Sequence, residues 1–497
     1  SNILTYQTKI KKKHNLDLLA GYEINSKESD GLGTTISNFA RWDKPEVNNG
    51  VVYQSMGGSN STTRIVSYIT RANYDYDNKY YLGASWRTDG SSRLARENRW
   101  GNFWSLSGAW RVSSESFMKP LQNWLSDLKL RVSYGVNGTL PSSYYGYMGL
   151  SSLTSNYNDN PGITQSQLEN KELTWETNYN FNSGIDLGFF DNRLNVTFEY
   201  YVRTTKNLLY SRPLSLATGF SSYLANIGKL QNKGYELEIR STNIETKDFR
   251  WSTSLNLGHN ANKILKLDGD LKQVTSGTSI HKVGLPYSTY YMIEFAGIDP
   301  VDGEPMFYKN TTDENGNLNK ETTKDPRSAE KVILQCADPT ITGGLGNSIS
   351  YKWFDLNFNV NFSFGAWNYD GAAGKLEHGG DGTLNIPIYY RKRWQKEGDE
   401  TSIERFVVGR SISMTDYATT RRLYSGDYVR LKNLTFGFTL PKTWTRKVGI
   451  DNIRLYASGN NLLTWAAYDY IDPESGSSPS WDTPPMRTYT FGLEVKF

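Results

Sequence analysis

The sequence is poor in the residues that make the commonest metal and redox sites. Its 497 residues include one cysteine, Cys336, and four histidines, His14, His259, His281 and His378. A single cysteine excludes an intrachain disulfide and a cysteine-rich metal centre. No histidine has a second one three or four residues away, so the usual zinc spacing is missing. Long hydrophobic runs are missing too. No apolar stretch exceeds four residues, whereas a membrane-spanning helix needs ~20. Neither sign of charge dominates, with 55 Lys and Arg against 51 Asp and Glu, so nothing points to a nucleic-acid partner. There is no G-x-S-x-G nucleophile elbow. Gly371-Ala-Ala-Gly-Lys375 lacks the first glycine of a phosphate loop, and Gly31-Leu-Gly33 fails the dinucleotide pattern at Ile36. These absences argue against an enzyme and against a resident cofactor.

Aromatics are abundant: 34 tyrosines, 20 phenylalanines and 14 tryptophans. Tyr and Trp suit boundaries that are apolar on one side and wet on the other. The mean hydropathy of −0.60 is compatible with membrane strands, which alternate apolar with polar and carry long polar loops. That alternation is the dominant pattern. Phe354, Leu356, Phe358, Val360, Phe362 and Phe364 share one face, against Asp355, Asn357, Asn359, Asn361 and Ser363 on the other. A run of this length matches a tilted membrane strand of ~9–11 residues rather than the ~5–6 of soluble strands. The pattern recurs around Leu128–Val136, Leu194–Val202, Tyr235–Ile239 and Trp251–Leu257. Charges on the second face are tolerable beside a water-filled lumen, whereas on a lipid face each costs ~2–4 kcal/mol near the midplane. The last strand alternates in the same way. Tyr489, Phe491, Leu493, Val495 and Phe497 form its apolar face, and the chain stops on the aromatic.

Outer-membrane barrels join their strands by short turns at one end and long loops at the other. Short connections are expected at Lys11–Lys13, Asp75–Asn78, Phe190–Asn192, Thr246–Asp248, Asp299–Gly303, Lys352–Trp353 and Pro441–Gly449, with a somewhat longer one, Ser114–Leu125, on the same side. Long external ones are expected at Lys27–Ser61, Ser92–Gly101, Thr139–Leu173, Leu209–Asn232, Lys263–Gly284, Asn310–Thr340, Asn368–Tyr424 and Ala466–Pro485. The fold expected is all-β: an antiparallel transmembrane β-barrel, with residues 1–497 as one unit of about 17 strands. The chain opens Ser1-Asn2-Ile3, with neither Met nor a leader. An outer-membrane protein is exported, so a longer precursor is expected, of which this is a piece.

Several blocks resemble the SusC/RagA family of TonB-dependent outer-membrane transporters of Bacteroidota. They include Arg87-Thr-Asp-Gly-Ser-Ser-Arg93, Arg99-Trp-Gly-Asn-Phe-Trp-Ser105, Trp175-Glu176, Gly184-Ile-Asp-Leu-Gly-Phe-Phe190 and Asn232-Lys-Gly-Tyr-Glu-Leu-Glu238. Arg430-Leu-Lys-Asn-Leu-Thr435 and Arg454-Leu-Tyr-Ala-Ser-Gly-Asn-Asn-Leu-Leu463 continue the series in family order. The resemblance implies a barrel of 22 strands, of which strands six to twenty-two would be present, with the N-terminal plug absent. It implies a SusD-like surface lipoprotein as cap and an oligosaccharide or peptide as substrate. Energy would come from TonB–ExbB–ExbD through the N-terminal part, and the strands would meet outer-membrane lipid. The final strand resembles the signal read by the barrel-assembly machinery; an ordinary edge strand ending in Phe is the alternative. Most block residues sit at turns and strand rims, where scaffolding accounts for them.

Loops far longer than a connection needs are often functional. The candidate contacts for substrate or cap are Tyr369, Tyr389, Tyr390 and Trp394 in one loop and Tyr468, Tyr470 and Trp481 in the last. Aromatics beside polar groups suit stacking on sugars or packing on a protein; rim anchoring explains them as well. Arg391–Arg393 fits an acidic ligand or a solvated face. His281 and His378 fall in loops where a hydrolytic pair could form, or where each is simply solvated. Asp299–Glu304 and Asp313–Asn317 offer oxygen ligands that make calcium conceivable, although neither completes the twelve-residue spacing and tight turns account for both. The function expected is import across the outer membrane. The alternatives are a siderophore or vitamin receptor, a passive barrel, or a soluble all-β binding protein.

Overall fold

The computed structural model describes residues 1–158, 160–267, 271–380, 384–409, 417–468, 470–475, 483 and 485–497. Among these, fifteen strands share one sheet. They are β1 (Asn2–Ile10), β2 (His14–Phe39), β3 (Gly50–Tyr76), β4 (Tyr80–Ser91), β5 (Trp100–Arg111), β6 (Leu125–Thr139), β7 (Glu176–Phe189), β8 (Leu194–Lys206), β9 (Lys229–Glu245), β10 (Phe249–Lys266), β11 (Ile341–Tyr351), β12 (Phe354–Phe364), β13 (Tyr428–Thr439), β14 (Asn452–Ala466) and β15 (Thr488–Lys496). Each strand lies beside its predecessor and successor, so the sheet is a pure meander. The turns of two to four residues, after β1, β3, β7, β9 and β11, all fall at one end of the strands, and the longest connections, after β6, β8, β10, β12 and β14, fall at the other. The short turns use left-handed backbone at Lys11, Lys12, Asp77, Asn78, Phe190, Asp191, Asn192 and Lys352. Asn and Asp tolerate that conformation well, whereas Lys and Phe adopt it only where a turn demands it.

The count corrects the expected seventeen strands. Asp299–Gly303 is a turn, but not one between two wall strands. The neighbouring strands Phe295–Ile298 and Pro305–Tyr308 pair with each other in a separate three-stranded sheet. Their turn is fixed by loop residues instead. Trp394 donates its indole N–H to the Pro300 carbonyl at 3.0 Å, and the Gly398 amide donates to the same oxygen at 2.8 Å. The two expected loops on either side are therefore one connection between β10 and β11. Both counts are odd, so the direction of the chain ends could not have told them apart. A second difference lies in Lys27–Ser61. The strands do not stop there: β2 and β3 stay paired from Lys27↔Thr63 to Phe39↔Gly50, with one bulge at Thr35/Ile36. Ser, Thr and Gly in the two paired arms are compatible with a narrow ribbon, and no proline falls in either arm, Pro45 lying in the loop between them.

Contacts divide the chain into two units, each described separately. One comprises Ser1–Ser116, Lys129–Ser183 and Val202–Leu230. Its core lies where the long connections leave the strands: Leu94, Phe103, Leu173 and Trp175 are buried together, with Val136, Leu140, Tyr147, Leu209 and Leu224 against them. The Trp175 indole donates to the Arg99 carbonyl at 3.0 Å, and Arg93 donates to the Pro141 carbonyl while lying over the Tyr144 ring.

The other unit comprises Phe117–Leu128, Gly184–Tyr201 and Gln231–Phe497. Here β12 realises the alternation read from the sequence. Phe354 and Phe364 are exposed, and Phe354 stacks on Phe438 with ring centres 4.9 Å apart. Asp355, on the opposite face, pairs with Arg454 at 2.6 Å. Phe198, Tyr235, Phe436, Leu455 and Trp465 are exposed as well. A large exposed apolar surface on regular strands marks a face that meets something other than water. No helix among the described residues is long and apolar enough to cross a membrane.

Candidate functional site

The long connections after β12 and β14 assemble a cluster of tyrosines, carboxylates and guanidinium groups. Short strands Trp367–Tyr369 and Leu423–Ser425 pair antiparallel and close the first loop at its base. Asp370 caps the short helix Gly371–Leu376 by accepting from the Ala373 amide at 2.7 Å. The turn Ile388–Lys392 carries Tyr389 and Tyr390, and the turn Thr420–Arg422 carries two arginines.

Each buried charge has a partner. Glu404 is wholly buried; it accepts from the Tyr390 hydroxyl at 2.8 Å and from the Arg421 guanidinium. Glu377 accepts from the Tyr389 hydroxyl at 2.5 Å, from Arg422 at 3.3 Å, and lies 3.5 Å from Arg421. Asp370 accepts from the Tyr468 hydroxyl at 3.1 Å, which ties the last loop to the first. Buried pairs of this kind specify an arrangement more than they add stability, and removing one partner leaves an uncompensated charge. Burial raises the pKa of Tyr389, Tyr390, Tyr424 and Tyr468 above the ordinary phenol value, and neighbouring carboxylates raise it further. Burial also raises Tyr369, and Arg422 partly offsets the effect. For Arg421, burial opposes the charge, yet Glu404 and Glu377 hold its pKa above the ordinary value.

The rings form a contiguous surface. Tyr424 and Tyr468 stack with centres 3.6 Å apart, and Tyr470 meets both Tyr468 and Tyr389 at 5.3 Å. Tyr470 is 69% exposed. With the hydroxyls of Tyr389, Tyr390 and Tyr468 donated to carboxylates, what the cluster presents is mainly ring surface with little uncompensated charge. Such a surface suits stacking on a sugar ring or an apolar side chain.

Of the residues singled out from sequence, Tyr389, Tyr390, Tyr468 and Tyr470 come together, with Tyr369 at the edge. Trp394 stands apart. It lies against Gly303, which has a φ of +71° and also no room for a side chain, because a Cβ there would sit 2.5 Å from the indole. Trp481 lies outside the described residues. Among the Arg391–Arg393 residues, Arg393 turns back to donate to the Tyr390 carbonyl at 3.5 Å. His281 stacks on Tyr287 with centres 4.2 Å apart, and His378 bonds the Leu384 carbonyl at 3.0 Å. Asp299 and Asp302 share the Lys324 ammonium at 2.6 and 2.7 Å, while Asp313 accepts backbone amides of Asn315 and Asn317. Along β15, Tyr489, Phe491 and Leu493 are exposed, as is Phe497 just beyond it, and Val495 is half-buried. Sequence reasoning missed Asp370, Glu377, Glu404, Arg421, Arg422 and Tyr424. The available signal was the Arg421-Arg422 pair in a loop that also holds isolated acids.

Comparison with known proteins gives this arrangement a family. The profile described as "TonB dependent receptor-like, beta-barrel" matches residues 2–462. The TonB-dependent receptor P3 of Formosa agariphila is 34% identical over 537 aligned positions, covering 100% of this chain and 52% of the relative. The TonB-dependent receptor SusC of Bacteroides thetaiotaomicron is 30% identical, over 87% of this chain and 44% of its own length. A solved structure of the RagAB peptide transporter superposes with a TM-score of 0.86 at 29% identity, over 100% of this chain and 55% of that one. The chain thus spans about half the length of the curated relatives it matches. It belongs to the TonB-dependent receptor β-barrel family, in its SusC/RagA branch, and its place is the bacterial outer membrane.

Proposed function

We propose that this chain is the barrel portion of an importer that takes up oligosaccharides or peptides across the outer membrane. It would work with a SusD-like surface lipoprotein and draw energy from TonB–ExbB–ExbD through segments outside this chain. The observation that carries the reading is the end-to-end likeness to the RagAB peptide transporter at a TM-score of 0.86, joined to likeness with SusC. The tyrosine cluster supplies a surface for capture, and β15 with Phe497 supplies the assembly signal. No catalytic step is assigned to His281 or His378.

The test is uptake by cells carrying the complete gene with its lipoprotein neighbour, supplied with starch-derived oligosaccharides or a peptic digest of casein. The expected result is TonB-dependent retention and uptake of one pool. Uptake that persists without TonB would overturn the energised reading in favour of a passive barrel. Selective retention of an iron chelate or a vitamin would place the protein with the other receptors of the family.

A further inference from the structure

The largest fully buried side chain among the described residues is Arg430, at 2% exposure. It sits on β13 opposite Asn361 of β12 and Thr464 of β14, on the polar face of the sheet. A charged side chain in that position needs a reason, because its desolvation is costly unless every donor is met. All three kinds of guanidinium nitrogen are met. Nε donates to the Thr464 hydroxyl at 3.0 Å, Nη1 to Glu474 at 2.8 Å and Nη2 to Asp472 at 2.5 Å. Lys432 adds a second cation on Glu474 at 2.6 Å.

Only one partner belongs to the sheet. Asp472 and Glu474 come from the long connection after β14, which folds back to the polar face to reach Arg430. Asp472 also orders its own turn, accepting from the Glu474 amide at 2.9 Å and, through its carbonyl, from the Ser475 hydroxyl at 2.7 Å. Two residues before Asp472 stands Tyr470, the most exposed ring of the cluster. The far side of Tyr470 is held by Tyr468, through Asp370 and the stack on Tyr424. Tyr470 is therefore strung between two anchors, and it meets Tyr389 with ring centres 5.3 Å apart.

We propose that Arg430 is a positioning residue that tethers the last external loop to the inner wall, setting Tyr470 against Tyr389 for ligand capture. The proposal rests on the tyrosine cluster being a ligand surface, as read above. The planar fork of Arg is suited to the task, because it addresses two carboxylates and a hydroxyl in fixed directions; Lys offers a single point charge.

The experiment uses the full-length importer with its lipoprotein, comparing wild type with Arg430→Met and Arg430→Lys. Hydrogen exchange is followed in residues 467–475, and binding is titrated with whichever pool the wild type retains, starch oligosaccharides or casein digest. Arg430→Met is expected to speed exchange in that loop at least tenfold and to raise the half-saturating concentration several-fold at unchanged maximal signal. Arg430→Lys is expected to recover part of both. A second variant, Asp472→Asn with Glu474→Gln, breaks the tether from the loop side and leaves the wall intact, so the result does not depend on Arg430→Met reaching the membrane. Unchanged exchange in both variants overturns the tether. Faster exchange with unchanged half-saturation, while Tyr470→Ala weakens binding, overturns the positioning role and leaves the ligand surface standing. Binding untouched by Tyr470→Ala shows instead that the ligand-surface reading has failed, and the positioning role falls with it.

Discussion

The two faces of β12 can be tested on one strand with one amino acid. Phe358 lies four residues from Phe354 and six from Phe364, on the face that also carries Val360 and Phe362. An eleven-residue strand rising ~3.3 Å per residue and tilted near 45° spans about 25 Å of membrane thickness, the height of a barrel's apolar band. Phe358 is then ~9 Å inside the nearer boundary, deep enough for the full depth-dependent cost. Phe358→Arg is expected to destabilise the barrel by about 3 kcal/mol, within the ~2–4 kcal/mol range for Arg near the midplane, or roughly a hundredfold in the folding equilibrium. Asn361, three residues on, faces the other way. It lines a polar cavity of about 700 Å³ together with Glu199, Glu236 and Glu238, and its ladder neighbour Arg430 is already paired with Asp472 and Glu474, so Asn361→Arg finds carboxylates to offset its charge and should cost far less than Phe358→Arg, about 1 kcal/mol. The assay is reversible urea unfolding of the full-length barrel in lipid vesicles, followed by tryptophan fluorescence. Equal costs for the two substitutions, or a larger cost at Asn361, would refute the assignment of lipid and lumen faces.

Tyr389, Tyr390, Tyr424 and Tyr468 should keep their protons as pH passes the ordinary phenol value of ~10. Their raised pKa means that the stabilisation they contribute is complete below the ordinary phenol value and fades as pH climbs through the raised one; a single tyrosinate transition at 295 nm accounting for all 34 would contradict this. Asp299 and Asp302 have lowered pKa values, chiefly from their bonds to Lys324. Their contribution should be intact above the ordinary carboxylate value of ~3.9 and vanish as pH falls through the depressed ones, so the exchange protection of the 299–304 turn, taken relative to the intrinsic amide rate at each pH, should be flat from pH 8 to 5 and fall in acid, with Lys324→Met removing the transition. Gly303→Ala forces a Cβ onto Trp394 at a positive φ and should cost about 1–3 kcal/mol locally, read as faster proteolysis between residues 384 and 409. Deleting Phe497 should lower the amount of barrel in the outer membrane without lowering synthesis, as measured by fractionation; an unchanged level would show that β15 carries no assembly signal.

The wall was legible because its physics is repetitive. One face of β12 must be apolar and the other polar, and a period of two records that directly in the sequence. The loops were less legible, because their strands obey a different rule. Phe295–Ile298 and Pro305–Tyr308 look like wall strands, yet they pair with each other, and the contacts of Trp394 and Gly398 with Pro300 reveal where their turn sits. The aromatic half of the candidate site could be picked out, since Tyr in a long loop is conspicuous. Its ionic half could not. Glu404 and Arg421 are seventeen residues apart in a loop without periodicity, and Asp370 meets Tyr468 from ninety-eight residues away. Such pairings depend on how the chain returns through space. Trp394 stands apart for the complementary reason: it is four residues from Tyr390 in sequence, but its indole faces a glycine in another connection.

The meander has a consequence for how recognition can change. Each long connection starts and ends on adjacent strands, whose spacing is about 4.8 Å whatever lies between. The segment between Lys266 and Ile341 holds roughly nine times as many residues as that between Ser91 and Trp100, and flexible-chain closure makes such a difference cost only about 2 kcal/mol. Mutation can therefore graft, lengthen or exchange a recognition loop as a cassette, while the membrane-embedded ladder beneath it keeps its register. Diversity of loops and constancy of wall then need no compromise.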